Sequence, residues 1–258
     1  MKQGVIVVNH GTADYDVRQR TIDDFVLSIG DRLETADIVS VYTNGEVRRQ
    51  LRENTGEKFQ NLKAAILSMK DRGITNLVVV STDVHDGPEY RKLMDETVSL
   101  ATLFQEVNIS KPLIYSDEDY EVTARALHGA FSEMVGDDIL ILVTTGDKEY
   151  GVEELDGFEK SIQKHFENSH LATLHGERKL YKAIKKLQQA GITSGRVVLV
   201  PLEFMAGEKV ENEVSQEYTV LAECLEEEGY TVDKAFKGMA EYDAMQRLYM
   251  RHLYDAIR

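Results

Sequence analysis

Cysteine and proline are scarce in this chain of 258 residues, which contains one cysteine, Cys224, and three prolines. A single cysteine excludes an internal disulfide and a zinc site built from several cysteines, and it is typical of proteins from a reducing compartment. The low proline content and the lack of any low-complexity tract argue against a disordered or fibrous chain. A chain of this length buries enough surface to fold without such staples, so we expect a globular protein.

Long hydrophobic runs are also missing, because no apolar segment approaches the roughly 20 residues that a membrane-spanning helix requires. The apolar stretch near the N-terminus, Val5–Val8, is too short for a signal peptide and is typical of a buried strand. We therefore predict a cytoplasmic protein that has no membrane partner.

Basic residues are fewer than acidic residues in this chain. The chain has 30 Lys and Arg residues against 45 Asp and Glu residues, which is a formal net charge of −15. A field of this sign opposes the phosphate neutralisation on which nucleic-acid binding depends, so we expect no nucleic-acid partner. An anionic small-molecule substrate would need a local basic patch. The composition leaves the oligomeric state open.

Short apolar runs, mostly β-branched, alternate along the chain with segments of helical periodicity. Leu62, Ala65, Ile66 and Met69, for example, recur at the i, i+3, i+4, i+7 spacing of one helix face. The apolar runs suit strands that are buried on both faces of a parallel sheet. This alternation predicts a doubly wound α/β fold. The predicted strands are Val5–Val8, Ile38–Tyr42, Leu77–Val80, Ile139–Val143 and Val197–Val200.

The chain contains an internal repeat. A predicted helix that is closed by Gly73 leads into one buried strand, and a second that is closed by Gly191 leads into another. Upstream, His10-Gly11-Thr12 matches Thr145-Gly146-Asp147 after an apolar run in each case. We therefore predict two similar parallel-sheet domains, residues 1–133 and 134–258, around a central cleft.

The predicted functional residues follow the strands, because ligands of open parallel sheets bind beyond the carboxyl ends of the strands. His10 follows the first strand, and His85 and Glu89 follow the strand at Leu77–Val80, with Asp83 and Asp86 beside them. Such nitrogen and oxygen ligands suit divalent cobalt, nickel, iron or zinc. Simpler roles remain open here: His10 as a solvated or capping residue, and Glu89 as a stabiliser of a helix N-terminus that begins at Pro88.

Two further groups lie near predicted strand ends. His175 follows a candidate strand at Leu171–Leu174, and Gly45 begins a basic helix that contains Arg48, Arg49 and Arg52. A solvated helix face would explain these arginines equally well. The sequence contains no GxGxxG, Walker phosphate loop, HExxH or GxSxG motif, so the common nucleotide, zinc-protease and serine-hydrolase signatures are absent.

The order of several loops, from Val7–Thr12 through the Tyr42–Gly45 turn and Gly87–Tyr90 to Ala206-Gly207, carries a family resemblance. The chain resembles the CbiK-type anaerobic cobaltochelatases, class II chelatases that insert Co²⁺ into sirohydrochlorin during cobalamin synthesis. The resemblance implies a tetrapyrrole cleft, a divalent metal as substrate (Co²⁺, with Ni²⁺ or Fe²⁺ as alternatives) and no organic cofactor. The matching segments are Val7–Thr12, the Tyr42–Gly45 turn followed by Arg49 and Arg52, Gly87–Tyr90, Pro201-Leu202 and Ala206-Gly207.

The chain departs from the family pattern at two loops. The family places metal-binding histidines where this chain has Thr145 and Lys209, and a metal-ligand glutamate near His175. A lysine is a fixed positive charge that repels Co²⁺ unless it is strongly desolvated. The resemblance therefore implies that the usual site in the C-terminal half has been lost.

The N-terminal half offers a replacement. The short sirohydrochlorin chelatases of the same superfamily carry a histidine in an HGS-type turn, which His10-Gly11-Thr12 resembles. By the internal repeat, His10 corresponds to Thr145 and Glu89 to Lys209. Our hypothesis is that the metal site has moved to His10 and Glu89 as catalytic residues, with His85 and His175 as further ligands.

Sirohydrochlorin carries many carboxylates, which predicts basic partners around its rim. The predicted basic partners are Arg48, Arg49, Arg91 and Lys209, and the matched loops add Thr12, Thr43, Asn44 and Thr145 as substrate contacts. A second hypothesis is a non-catalytic relative that binds a tetrapyrrole or a metal as a carrier or sensor. A periplasmic-type small-molecule receptor is a third, weaker alternative.

Overall fold

The computed structural model describes residues 2–146, 152–175, 179–207 and 213–257. Its strands form two four-stranded parallel sheets. All five predicted strands are present. The strands of the first sheet are β1 (Gln3–Asn9), β2 (Asp37–Tyr42), β3 (Asn76–Ser81) and β4 (Glu106–Ile109), and those of the second are β5 (Ile139–Thr144), β6 (Ser169–Thr173), β7 (Gly195–Pro201) and β8 (Tyr230–Lys234).

Helices connect the strands, as parallel pairing requires. The first connection is a helical stretch in which a π-helical turn, Gln19–Asp23, joins two α-helices. The α-helices are α1 (Tyr15–Arg18), α2 (Asp24–Gly30), α3 (Gly45–Asn54), α4 (Leu62–Asp71), α5 (Pro88–Leu100), α6 (Asp117–Val135), α7 (Val152–Gln163), α8 (Leu180–Gln189), α9 (Glu213–Glu227) and α10 (Asp243–Ile257).

The strand order confirms the internal duplication. The first sheet has the order β2-β1-β3-β4 and the second the order β6-β5-β7-β8, which is the same permutation of four successive strands. The glycines that close the helices before β3 and β7 also agree: Gly73 has a φ of 75° and Gly191 a φ of 82°. The predicted α/β class with two similar parallel-sheet halves is therefore confirmed.

Helices cover both faces of the first sheet. Ile6 and Val8 pack with α4 and α5 in one apolar cluster. Val5 and Val7 point to the opposite face, because side chains alternate along a strand, and they are buried as well. This pattern explains why the central strands are continuous apolar runs rather than alternating ones.

The chain divides into two compact units. We call Met1–Leu113 with Gln246–Arg258 the N-terminal unit and Ile114–Met245 the C-terminal unit. This grouping differs from the boundary at residues 133–134 that the repeat predicts. Helix α6 groups with the second sheet, and α10 returns to the first, where Tyr249 meets the ring of Phe25 edge-on at 6.0 Å between centroids.

Across the described ranges, no helix combines the length and the apolar character needed to cross a membrane.

Candidate functional site

The carboxyl ends of three neighbouring strands in the N-terminal unit bring the predicted loops together. Val8 of β1 pairs with Ser81 of β3, and Asn9 pairs with Tyr42 of β2. His10 and Asp83 therefore each lie two residues past a paired position on adjacent strands, whose backbones are about 4.8 Å apart. The loops after β1, β2 and β3 leave the sheet at the same edge, as the sequence predicts.

His10 is held to the loop after β2 by two hydrogen bonds from one residue. The backbone N–H of Asn44 donates to the carbonyl of His10 at 3.1 Å. The Asn44 side chain reaches the imidazole, with Nδ2 2.9 Å from Nε2 of His10. The imidazole is partly buried. The two predicted residues, His10 and Asn44, are therefore in direct contact.

Gly11 and Thr12 shape the turn after His10. Gly11 has a φ of 91°, and a Cβ at this position would lie 2.6 Å from the ring of Tyr42. The glycine at position 11 therefore makes room for the ring of Tyr42. Thr12 is completely buried, and its hydroxyl accepts a hydrogen bond from the Asp14 backbone at 3.1 Å. Its predicted contact with substrate stays a prediction, which this burial does not favour.

Asp83 contributes a carboxyl group to the same edge. Its Oδ2 accepts a hydrogen bond from the Ser81 hydroxyl at 2.6 Å. Loss of hydration raises the pKa of Asp83 to about 6; the Ser81 hydrogen bond opposes this shift and the negative charge of Glu89 adds to it. A carboxyl group with this pKa can take up and release a proton near neutral pH.

Glu89 lies where its position after Pro88 predicts. Pro88 is the first residue of α5, and Glu89 is exposed in the first turn of this helix. Its negative charge acts on Asp83. Asp83 and Glu89 therefore form a pair of neighbouring carboxyl groups, of which one is partly buried and the other faces solvent.

His85 lies in the loop before α5, and Arg91 lies near the start of that helix. The His85 ring packs against Gly87, where a Cβ would lie 2.9 Å from its Cε1 atom. Arg91 is predicted to bind substrate, but its Nε donates to Asp86 Oδ1 at 3.0 Å and its Nη2 to the Asp86 carbonyl at 2.7 Å. An external carboxylate would have to compete with Asp86 for this guanidinium.

The two other predicted arginines are engaged too. Arg48 donates to the carbonyls of Tyr42 and Thr43 at the end of β2, at 3.0 Å in the case of Thr43. Arg49 is exposed and forms a two-point ion pair with Glu46 at 2.6 and 3.0 Å. An exposed pair of this kind is weak and exchanges readily, so of these two arginines Arg49 is the better placed to change partner.

At the equivalent sheet edge of the C-terminal unit, a different set of hydrogen bonds joins the loops. Oε1 of Glu203 accepts hydrogen bonds from the Thr145 backbone at 3.0 Å, from the Thr145 hydroxyl at 3.1 Å and from the Thr144 hydroxyl at 3.0 Å. Thr145 therefore stabilises the loop structure at the position where the family resemblance implies a metal-binding histidine.

His175 lies in the C-terminal unit, where its backbone N–H donates to Thr145 at 2.9 Å. It borders a surface cavity of about 640 Å³ between α8 and α9, which Leu174, Lys179, Tyr181 and Cys224 also line. His175 belongs to the C-terminal unit, whereas His10, His85 and Glu89 belong to the N-terminal unit. Lys209 lies outside the described residues.

The structural repeat revises one predicted correspondence. The Tyr90 hydroxyl donates to the carbonyl of Ser110 after β4, and the Tyr218 hydroxyl donates to the carbonyl of Ala235 after β8. These equivalent contacts match Glu89 with Glu217, whereas the sequence comparison matches it with Lys209. From the end of β7 to Tyr218 the chain is eight residues longer than from the end of β3 to Tyr90, 17 positions against 9.

Within the part of the chain that the structure describes, no three His, Cys, Asp or Glu side chains are close enough to hold a metal ion together. The ligand set of His10, His85, Glu89 and His175 stays a prediction.

Asp83 and Glu203 occupy equivalent positions in the two units. Each is an acidic residue two positions past the end of the third strand of its unit, in Ser81-Thr82-Asp83 and Pro201-Leu202-Glu203. Comparison of the two repeats at this position would have identified both.

Comparisons with known proteins agree with this architecture. A sirohydrochlorin cobaltochelatase of Salmonella typhimurium is 22% identical over 262 residues, which cover 100% of this chain and 97% of that protein. SirB from Bacillus subtilis with Fe³⁺ has a TM-score of 0.69 at 13% identity, covering 99% of this chain and 96% of that chain. The sirohydrochlorin chelatase SirB from Bacillus subtilis subspecies spizizenii in complex with cobalt has a TM-score of 0.67 at 11% identity, covering 99% and 95%.

These structures share the chelatase-like fold with two four-stranded parallel sheets. The family model for cobalt chelatase (CbiK) matches residues 3–258, nearly the whole chain. The chain therefore belongs to the CbiK cobalt chelatase family.

Proposed function

We propose that this protein inserts a divalent metal into sirohydrochlorin or a closely related tetrapyrrole, in the anaerobic synthesis of cobalamin. Co²⁺ is the metal we favour, with Ni²⁺ or Fe²⁺ as alternatives, and no organic cofactor takes part. Membership of the cobalt chelatase family and the full-length similarity to a sirohydrochlorin cobaltochelatase support this reaction. The single cysteine supports a cytoplasmic setting.

The observation that carries the proposal is that His10 and the carboxyl groups of Asp83 and Glu89 follow adjacent strands at one sheet edge. His10 accepts a hydrogen bond at Nε2, so this nitrogen has a lone pair. A neutral imidazole nitrogen is a ligand for divalent first-row metals and an acceptor for protons. Asp83 and Glu89 follow the adjacent strand.

The reaction requires a proton acceptor as well as a metal ligand. When the metal enters the macrocycle, two pyrrolic N–H bonds break, two metal–nitrogen bonds replace them, and two protons leave. We assign His10 as the group that binds the metal or accepts the first proton. Asp83 then exchanges a proton near neutral pH, and the exposed Glu89 passes it to water.

The C-terminal unit supports the location at His10. Thr145 is bound to Glu203 by two hydrogen bonds, so its hydroxyl serves the loop and offers no strong metal ligand. Lys209, which the sequence places at the second family histidine, would repel a cation and suits a carboxylate of the macrocycle.

The substrate rim has fewer basic partners than the sequence predicts. Arg48 holds backbone carbonyls, whereas Arg49 and Arg91 are paired with Glu46 and Asp86. We propose that Arg49 and Arg91 exchange these carboxylates for those of the tetrapyrrole, since one ion pair then replaces another. Thr43 and Asn44 border the same edge and complete the proposed contact surface.

The test is direct. The purified full chain is mixed with sirohydrochlorin and Co²⁺, and the change in the absorbance spectrum is followed against a sample without protein. We expect insertion to be faster with the protein. A rate equal to that of the protein-free sample would refute the enzyme and favour a carrier or sensor that binds the tetrapyrrole or the metal.

Substitution of His10 locates the site. We expect His10→Ala to lower the rate of insertion by about 100-fold, the lower end of the range for loss of a general acid or base. His165→Ala, a histidine substitution in the C-terminal unit outside the strand-end loops, is the control and should leave the rate unchanged. Full activity of His10→Ala together with loss in His175→Ala would place the site in the C-terminal unit instead.

A further inference from the structure

The Asn44 side chain is anchored at its oxygen. Asn44 is the N-cap of α3, and its Oδ1 accepts hydrogen bonds from the backbone N–H groups of Glu46 at 2.9 Å and Val47 at 3.2 Å. A side-chain oxygen at a helix N-cap accepts from the first free backbone donors of the helix. These two donors identify the oxygen of the amide and leave its nitrogen directed towards His10.

The amide nitrogen determines the protonation of the imidazole. Nδ2 of Asn44 lies 2.9 Å from Nε2 of His10, and an amide nitrogen is a donor only. Nε2 must therefore be the acceptor, and in the neutral ring the proton resides on Nδ1. We propose that Asn44 is a positioning residue that holds His10 in the Nδ1–H tautomer. The effect of this tautomer on catalysis rests on the proposed function.

This tautomer matters because only one ring nitrogen of a neutral histidine has a lone pair. In the Nδ1–H form the lone pair of Nε2 points along the hydrogen bond from Asn44. An incoming cation then replaces a neutral amide donor, which stays attached to the helix through its oxygen. The opposite tautomer would present an N–H group to the cation and repel it. Asn44 thus keeps the lone pair of Nε2 available for a metal ion. Its amide occupies the position that the incoming ion would take.

The C-terminal unit shows that the backbone arrangement alone does not require this pair. His175 donates its backbone N–H to Thr145, just as Asn44 donates to His10. The same two loop positions therefore hold His and Asn in one repeat and Thr and His in the other. The histidine–asparagine pair itself is therefore particular to the N-terminal unit.

The test uses a substitution that reverses the hydrogen bond and keeps the cap. Asn44→Asp is nearly isosteric, and aspartate is as good an N-cap as asparagine, but its second oxygen accepts where the amide donates. Asn44→Ser also caps the helix but is too short to reach His10. Asn61→Asp makes the same chemical change at the N-cap of α4, where Oδ1 accepts from the Ala64 backbone, and is the matched control.

The measurement is the two-bond ¹H–¹⁵N spectrum of the histidine rings in the full ¹⁵N-labelled chain. The spectrum is recorded at about pH 8, well above the ordinary histidine pKa of about 6.5. His10→Gln identifies the signals of His10. We expect Nδ1–H in the wild-type protein and in Asn61→Asp, a mixture of tautomers in Asn44→Ser, and Nε2–H in Asn44→Asp.

The rate of cobalt insertion gives the second readout. We expect Asn44→Asp to lower kcat by about tenfold or more while Asn61→Asp keeps the wild-type value. An Nε2–H signal in the wild-type protein, or an unchanged tautomer in Asn44→Asp, would overturn the assignment. A shifted tautomer with unchanged kcat would overturn the positioning role. Because the spectrum needs no substrate, failure of the chelatase proposal would be recognised separately.

Discussion

At the scale of single residues, the acidic side chains after β3 and β7 differ in what surrounds them. Asp83 has one hydroxyl partner from Ser81 and a carboxylate neighbour, whereas one oxygen of Glu203 accepts three hydrogen bonds. Equivalent positions in the two repeats thus hold a carboxyl group of raised pKa in one unit and a structural anchor in the other. Loss of hydration is the main reason for the raised pKa of Asp83, and the Ser81 hydroxyl offsets it only in part.

Asp83 predicts a specific dependence of stability on pH. Its pKa is about 6 in the folded protein and about 3.9 in an unfolded chain, so the folded state binds more protons between these values. The free energy of unfolding therefore falls as the pH rises from about 4 to about 6. We expect Asp83→Asn to be more stable than the wild-type protein at pH 7 by about 1–2 kcal/mol, and equal to it below about pH 4.

Denaturant unfolding from about pH 4 to pH 8 measures this difference. Asp95→Asn, the same change at an exposed position of α5, is the control and should show a smaller dependence because solvent screens its charge. A stability difference between Asp83→Asn and the wild-type protein that is the same at every pH would contradict the prediction.

At the scale of secondary-structure elements, the central strands were predictable and so were the edge strands β2 and β6, whereas the edge strands β4 and β8 were not. β1, β3, β5 and β7 lie inside their sheets and are continuous apolar runs. The edge strand β4 (Glu106–Ile109) is mostly half-buried, and the edge strand β8 (Tyr230–Lys234) is mostly exposed. An edge strand needs little apolar surface, so its sequence resembles that of a loop.

The turn after β1 offers a test with an internal comparison. Both Gly11 and Gly73 have positive φ, but only at Gly11 does an added Cβ meet a neighbour, the ring of Tyr42 at 2.6 Å. We expect Gly73→Ala to lower the free energy of unfolding by about 1 kcal/mol, the cost of a left-handed alanine. Gly11→Ala should cost about 2–4 kcal/mol, because overpacking adds to the backbone strain.

Thermal and denaturant unfolding of both variants checks this prediction. Equal losses of stability in Gly11→Ala and Gly73→Ala would show that Tyr42 moves without cost, and would leave the conformation of the backbone as the only reason for glycine at position 11.

At the scale of the whole molecule, the net charge of −15 acts on the two proposed substrates in opposite directions. The field attracts a divalent cation and repels a polycarboxylate. Salt shortens the range of the field, from about 30 Å at 0.01 M to about 8 Å at 0.15 M ionic strength. We expect kcat/KM for the tetrapyrrole to rise with added NaCl and kcat/KM for Co²⁺ to fall.

Initial rates in a series of NaCl concentrations, with one substrate varied at a time, measure both dependences. If kcat/KM for the tetrapyrrole falls with salt instead, a local basic patch, rather than the net charge, dominates its approach. Arg49→Gln and Arg91→Gln would then test which guanidinium supplies that patch.

The sequence by itself determined the fold class, the two parallel sheets and the sheet edge at which we propose the site. Buried strands, helical periodicity and glycines with positive φ are local patterns, and parallel strands bring their carboxyl ends to one edge. The tertiary structure decided which side chains there have partners: Arg48 on backbone carbonyls, Arg91 on Asp86, Thr145 on Glu203 and His10 on Asn44. The pairs Thr145–Glu203 and His10–Asn44 join loops that lie 58 and 34 residues apart in sequence. The pairs Arg48–Thr43 and Arg91–Asp86 span five residues each, but they depend on the conformation of the turn between them, which residue type alone does not fix.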